Sequence, residues 1–260
     1  MPCDEHRRPV LAHRLSDQAD AIAQHYLAAT GIKGEAKSDG SPVTAADREI
    51  ERVLRSMISQ EHPDDAFIGE ESGGYGYRYG RRRWIVDGID GTASFLAGKP
   101  EWSTLIAVEE HGSVSVGMVS APALHRRWWA ARGSGAWTAP HPTDPTTSPQ
   151  RLAITGVANL YEATIGIWPP PSRLSGPDRA IAARLSASAA QTRPALDWTE
   201  LEPTYPPPPK PSTGSGTCHG ALLVAMGHLD AFLLLGAGPL GHRRTGPDHR
   251  GGRRHIQRPL

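Results

Sequence analysis

Four carboxylates set the chemistry open to this chain. Glu70 and Glu71 follow the apolar run Ala66-Phe67-Ile68-Gly69, and Asp87 and Asp90 close the run Trp84-Ile85-Val86, with Gly88 and Ile89 between them. A short apolar run bounded by small residues reads as a buried strand, so each pair of acids sits where a strand leaves its sheet. If the two strands are neighbours, the acids share one rim. Unit charges about 4 Å apart repel by about 4 kcal/mol at an effective dielectric of about 20. Such a rim must bind a cation or take up protons. With oxygen donors and no His or Cys beside them, the cation is a hard one, Mg²⁺ first.

Elements on either side must hold that rim. Pro9 to Thr30 carries Leu11, Leu15, Ala19, Ile22, Ala23, Tyr26 and Leu27 at helical spacing, and Gly31 stops it. A polar loop, Lys37 to Pro42, leads to a second helix from Thr44 to about Gln60, with Ile50, Val53, Leu54, Met57 and Ile58 inward. Thr44 with Asp47 three residues on is a capping pair, which by itself accounts for that acid. Lys37 taken alone is a solvated loop lysine. Thr104–Val108, Val114–Val119, Arg127–Ala131 and Gly135–Trp137 read as an antiparallel series, with a turn at His111-Gly112 and tryptophans in the sheet core.

The stretch Gly69-Glu70-Glu71-Ser72, together with Trp84-Ile85-Val86-Asp87-Gly88-Ile89-Asp90-Gly91-Thr92-Ala93-Ser94-Phe95, resembles the inositol monophosphatase family of Mg²⁺-dependent, Li⁺-sensitive phosphomonoesterases. The similarity runs from about Lys37 to Pro239 and is nearest the bacterial branch that includes histidinol-phosphate phosphatases. It implies an α/β fold layered α-β-α-β-α, with the metals at the junction of its halves. Glu70, Asp87, Asp90 and the Ile89 carbonyl become ligands to two or three Mg²⁺ ions. Glu70, Ile89, Asp90, Gly91 and Thr92 meet the phosphate, with Gly91 and Thr92 opening a helix whose N–H groups hold it. Glu70, Thr92 and Asp47 are the catalytic candidates, and Glu71 and Lys37 support them. Gly88 stands where the family has proline, which should loosen the turn, and Ser94 stands where it has asparagine.

The implied activity is hydrolysis of a small phosphate monoester: histidinol phosphate, an inositol phosphate, or a sugar or aminocyclitol phosphate of a biosynthetic pathway such as an antibiotic pathway. The other class is a catalytically impaired relative that binds phosphorylated ligands. A homodimer is the family default.

Composition agrees. A net charge of +1 gives no bulk attraction to nucleic acid or membrane, and no apolar run approaches the roughly 18 residues of a membrane span. Cys3 and Cys218 build neither a disulfide framework nor a metal site, which fits a reduced cytoplasm. The Tyr75–Arg83 loop mixes aromatics with arginines, but a solvated loop explains it better than RNA binding. His141–Gln150 reads as a connector, so residues 1–140 form an α+β half carrying the metal motifs and 141–260 a second, α/β half. In the latter, Arg151–Ile167 begins the α/β unit, Asp178–Ala190 and Gly220–Met226 read as helices and Asp230–Leu235 as a strand; Pro206–Pro211 is a rigid proline-rich loop.

The family closes its site with Trp-Asp-x-Ala-Ala, whose Asp completes the second metal. Here Pro239 is followed by Leu240-Gly241-His242-Arg243-Arg244, and the composition turns to Arg, His and Gly. Codons CTG GGA CAT CGC CGC encode that run; without the first base they read Trp-Asp-Ile-Ala-Ala. The same shift over Pro247–Pro259 can yield Pro-Ile-Ile-Glu-Glu-Ala-Gly-Gly-Thr-Phe-Ser-Asp. The expectation is that one extra base puts residues 240–260 out of frame. The rival reading of their arginines is a nucleic-acid arm.

Overall fold

The structure is a computed structural model that describes residues 3–29, 33–37, 42–75, 82–140, 148–193 and 217–235. The loop at 76–81, the connector at 141–147, the proline-rich run and everything after Leu235 lie outside the described residues. The chain divides into two units, one running to Arg151 and one from Leu152 onward.

In the first unit two helices cover a sheet. Helix α1 (Cys3–Ala28) begins upstream of Pro9, which it contains. A hairpin of β1 (Gly34–Ala36) and β2 (Pro42–Thr44) precedes α2 (Ala45–Glu61). Then come β3 (Ala66–Gly69), β4 (Gly73–Tyr75), β5 (Arg83–Asp90), the short α3 (Thr92–Leu96), β6 (Ser103–Glu110), β7 (Ser113–Ala121), β8 (Arg126–Ala131), β9 (Gly135–Pro140) and β10 (Gln150–Arg151). Among the described residues, eight strands form one sheet in the order β10-β9-β8-β7-β6-β5-β3-β4. All neighbours are antiparallel except β3 and β5. The predicted turn between β6 and β7 forms with both His111 and Gly112 at positive φ.

The core repeats the sequence periodicity. Leu11, Leu15, Ala19 and Ile22 of α1 and Ile50, Leu54 and Ile58 of α2 meet Trp84, Val86 and Ile89 of β5 and Ile106 and Val108 of β6, with Phe95 and Trp102 between. Burying each such aliphatic side chain contributes about 1.5–3 kcal/mol. Val53 and Met57 are only partly buried at its edge. Of the tryptophans expected in the sheet core, Trp128 is buried while Trp129 and Trp137 are only half-buried; Trp84 and Trp102 are fully buried as well.

The second unit, over its described residues, is a parallel three-stranded sheet in the order β12 (Gln191–Arg193), β11 (Thr164–Trp168), β13 (Ala231–Leu234). Helices α4 (Gly176–Ser188) and α5 (Thr217–Ala225) accompany it. Ile165, Ile167, Leu174 and Ala182 form its core. Asp230 ties the strands by accepting the Thr155 hydroxyl and the Thr164 N–H. No described helix is long and apolar enough to cross a membrane.

Candidate active site

The strands bearing the acids are neighbours. β3 and β5 run parallel with Gly69 opposite Val86, and the Glu70 N–H donates to the Val86 carbonyl at 3.2 Å. Glu70 therefore leaves β3 at the level where Asp87 follows on β5.

Asp87 and Asp90 are three residues apart, and on a regular strand they would face opposite sides. The β5–β6 pairing solves this: Asp87 lies opposite Leu105 and Asp90 opposite Ser103, so the register shifts between them. A bulge re-aims side chains in this way, and the Asp90 charge acts on Asp87. Gly88 sits inside it. Contrary to the expected loosening, its carbonyl accepts the Thr104 hydroxyl at 2.9 Å, and a Cβ there would come within 2.8 Å of the Asp47 carbonyl. Close packing against α2, not slack, is what the glycine permits.

Helix α2 brings two acids to the rim. Thr44 caps it, and the reciprocal box forms: the Asp47 N–H donates to Thr44 Oγ1 at 3.4 Å while the Thr44 N–H donates to Asp47 Oδ2 at 2.9 Å, and the Thr44 hydroxyl donates to that same oxygen at 2.5 Å. The other oxygen of Asp47 is turned to the site, where Thr92 Oγ1 lies 3.1 Å from Oδ1 and 3.0 Å from the Ile89 carbonyl. The capping role and the approach to Thr92 thus hold together. Burial pushes the Asp47 carboxyl up despite the hydrogen bonds from Thr44 and Thr92 that pull it down. Thr92 opens α3 after Gly91, whose φ of 88° and closeness to the Glu101 carbonyl (2.5 Å from a built Cβ) exclude a side chain.

The second acid, Glu51, was missed by sequence reasoning. It is 1% exposed, accepts the Glu71 N–H at 2.8 Å, and with its other oxygen accepts the Ser72 N–H and hydroxyl at 2.9 and 2.7 Å. Hydrogen bonds to a charged acceptor are worth about 1.5–3 kcal/mol each. A Cβ at Gly69 would collide with the Glu51 carboxylate and the Ser72 hydroxyl, which explains the glycine before the two glutamates. The signal was present: Asp47, Glu51, Leu54 and Ile58 fall on one helical face, and a Glu on a buried face needs partners.

Lys37 Nζ bridges Glu70 Oε1, at 2.9 Å, and Glu71. Burial pulls the Lys37 amine down, but its bonds to Glu71 and Glu70 outweigh that and leave it above its ordinary range. Burial raises Glu71 against the opposing pull of Lys37. Asp87 is the extreme: burial first, then the Asp90 and Glu70 charges, a hydrogen bond shared with Glu70 and the Asp47 charge push it well above the usual carboxylate value.

No group of three His, Cys, Asp or Glu side chains among the described residues is already arranged to grip a metal ion. The donor chemistry nevertheless fits a hard divalent cation. Glu70, Asp87 and Asp90 are oxygen donors, Asp87 is 7% exposed, and burial first and then the neighbouring Asp90 and Glu70 charges raise its carboxyl, an environment in which a divalent cation would favour the ionised form.

Residues 6–242 match the inositol monophosphatase family. A histidinol-phosphatase of Mycobacterium tuberculosis is 43% identical over 167 residues, 64% of this chain and 61% of that protein. A Streptomyces griseus protein named glucose-1-phosphate thymidylyltransferase is 45% identical over 153 residues, 59% of this chain and 58% of that protein. Each match thus spans less than two thirds of the relative's length. An inositol monophosphatase from Zymomonas mobilis shares the fold, with a TM-score of 0.68 at 24% identity over 92% of this chain and 81% of that chain.

Proposed function

Because the chain belongs to the inositol monophosphatase family, we propose that it hydrolyses small phosphate monoesters at the rim of Glu70, Asp87 and Asp90. The crowding of carboxylates on buried Asp87 carries the reading, since a divalent cation turns that repulsion into attraction. Glu70, Asp87, Asp90 and the Ile89 carbonyl would hold Mg²⁺, two or three ions on the family pattern, and the bound metal would supply Lewis-acid stabilisation of the phosphate and an activated water.

This chain's own groups do the positioning. Asp47 holds the Thr92 hydroxyl as hydrogen-bond acceptor. With its proton committed there, Thr92 Oγ1 offers a lone pair that can orient an attacking water. The backbone at Gly91 and Thr92, where α3 opens, is assigned to the phosphate. Lys37 and Glu71 support Glu70 from the opposite side.

The two relatives carry names of different activities, so the substrate rests on reaction class: histidinol phosphate first, then an inositol phosphate or a sugar or aminocyclitol phosphate. The decisive experiment measures phosphate release from histidinol phosphate, inositol 1-phosphate and glucose 1-phosphate with Mg²⁺, with and without Li⁺. Mg²⁺-dependent release suppressed by Li⁺ is expected. A second reading, a phosphate-ester binder with impaired hydrolysis, is favoured by the departure after Pro239 from the family's Trp-Asp ending. A chain with one base removed after the Pro239 codon separates the readings: higher activity at low Mg²⁺ marks a lost ligand. Silence from both chains would sink hydrolysis and leave the binder. The family reading also gives a homodimer, which light scattering of the purified protein tests.

A further inference from the structure

Glu51 has no place in the chemistry above, yet it is a buried carboxylate beside an acidic rim. Its neighbours show what it does. Glu70 is pinned on one side by its N–H bond to the Val86 carbonyl. On the other side the chain is held through the Glu71 and Ser72 N–H groups and the Ser72 hydroxyl, all donated to Glu51. The chain then runs into β4, a three-residue edge strand that begins Gly73-Gly74, with open space where either Cβ would be and Gly73 at a φ of 68°. The Glu70 carboxylate, meanwhile, shares a hydrogen bond with Asp87 and accepts Lys37 Nζ at 2.9 Å. Glu51, reaching over from α2, is thus what fixes the backbone immediately beyond Glu70.

We infer that Glu51 is a positioning residue: it clamps the Glu70–Ser72 turn, holds Glu70 in place beside Asp87, and so sets the affinity for the divalent ion. The inference rests on the metal reading proposed above. A neutral amide cannot replace it fully, because three donors converge on its two oxygens and the amide supplies one acceptor.

The test titrates Mn²⁺ into the full chain without substrate, followed by electron paramagnetic resonance, for the wild type, Glu51→Gln and Ser72→Ala. Outer residues that orient metal ligands typically carry about 10–100-fold in affinity, and Glu51→Gln is expected to lose Mn²⁺ affinity in that range. Phosphatase activity should recover as Mg²⁺ is raised, with KM for the ester unchanged. Ser72→Ala, which deletes one exposed hydroxyl donor and should fold whatever becomes of Glu51→Gln, is expected to lose less in the same direction. A lower melting temperature with undiminished Mn²⁺ affinity would reduce Glu51 to scaffold and overturn the inference. Undiminished affinity in Ser72→Ala would do so even where Glu51→Gln does not fold. Absence of Mn²⁺ binding by the wild type would instead remove the metal reading itself.

Discussion

Two of the places where the first unit buries carboxylates treat them differently. Where α1 lies on the sheet, Asp20 is 3% exposed and meets the buried guanidinium of Arg127 at 2.8 Å, while Ser120 donates to the same oxygen at 2.6 Å. Arg127 also reaches Asp17 at 2.8 Å, Ser120 through Nε at 3.0 Å, and lies 3.5 Å from His13 Nδ1. The buried carboxylate there has its own buried cation within the chain. At the rim, Asp87 meets the charges of Asp90, Glu70 and Asp47, and Lys37 pairs with the neighbouring glutamates Glu70 and Glu71. One cluster joins a helix to a sheet. The other gathers acids around a buried carboxylate, an arrangement that the proposed cation would stabilise.

Replacing Asp87 by Asn gives the largest effect. Losing several kcal/mol of metal-borne stabilisation, at tenfold per 1.36 kcal/mol, lowers Mg²⁺-dependent phosphate release by about 10³. The same change relieves the rim, so the metal-free melting temperature should rise; each 1 kcal/mol is about 2–4 °C for a protein of this size. Arg127→Ala should do the reverse. Stranding Asp20 costs about 3–5 kcal/mol of stability, read by urea unfolding, with Mn²⁺ affinity unchanged. If Asp87→Asn destabilises the metal-free protein as Arg127→Ala does, the contrast between the clusters fails.

The residues that make this contrast were unequally visible in the sequence. The acids and the strands carrying them were plain, because an apolar run ending in acids is a local pattern. So were α2, from its Thr44–Asp47 cap, and the antiparallel run β6 to β9. The bulge that turns Asp87 and Asp90 to one side was not legible, because it is a property of pairing with β6. The Asp20–Arg127 pair spans 107 residues, and no spacing rule reaches so far. The hairpin of β1 and β2 was hidden for another reason: three-residue strands are too short to show alternation. Glu51 was overlooked because its partners are mostly backbone N–H groups, which no residue type announces.

Gly91→Ala perturbs the rim without changing a charge. A non-glycine residue forced to positive φ costs about 1–3 kcal/mol, and a Cβ 2.5 Å from the Glu101 carbonyl must move backbone. The expected result is a melting temperature lowered accordingly and slower phosphate release at saturating Mg²⁺. Unchanged turnover would show that the opening of α3 does not need its present geometry.

The gentlest probe is pH. Asp87 in the folded, metal-free protein binds its proton more tightly than an ordinary Asp, whose value is 3.8. Below that value both folded and unfolded chains hold the proton and the group is neutral to stability. Above it the unfolded chain releases a proton that the folded chain keeps. The folded state then carries more protons, and stability falls as pH rises until the folded group also ionises. Asp47 and Glu71 are raised too and act in the same direction. Lys37, raised from 10.5, stays protonated in both states through neutral pH and adds no slope there. Each group contributes at most about 1.4 kcal/mol per pH unit. Melting in EDTA from pH 4 upward should therefore show a steeper decline for the wild type than for Asp87→Asn, and saturating Mg²⁺ should abolish that difference in slope. The buried Asp20 cluster, carrying its own arginine, predicts no such Mg²⁺ dependence. Parallel wild-type and Asp87→Asn curves in EDTA would mean that the rim bears no uncompensated acid.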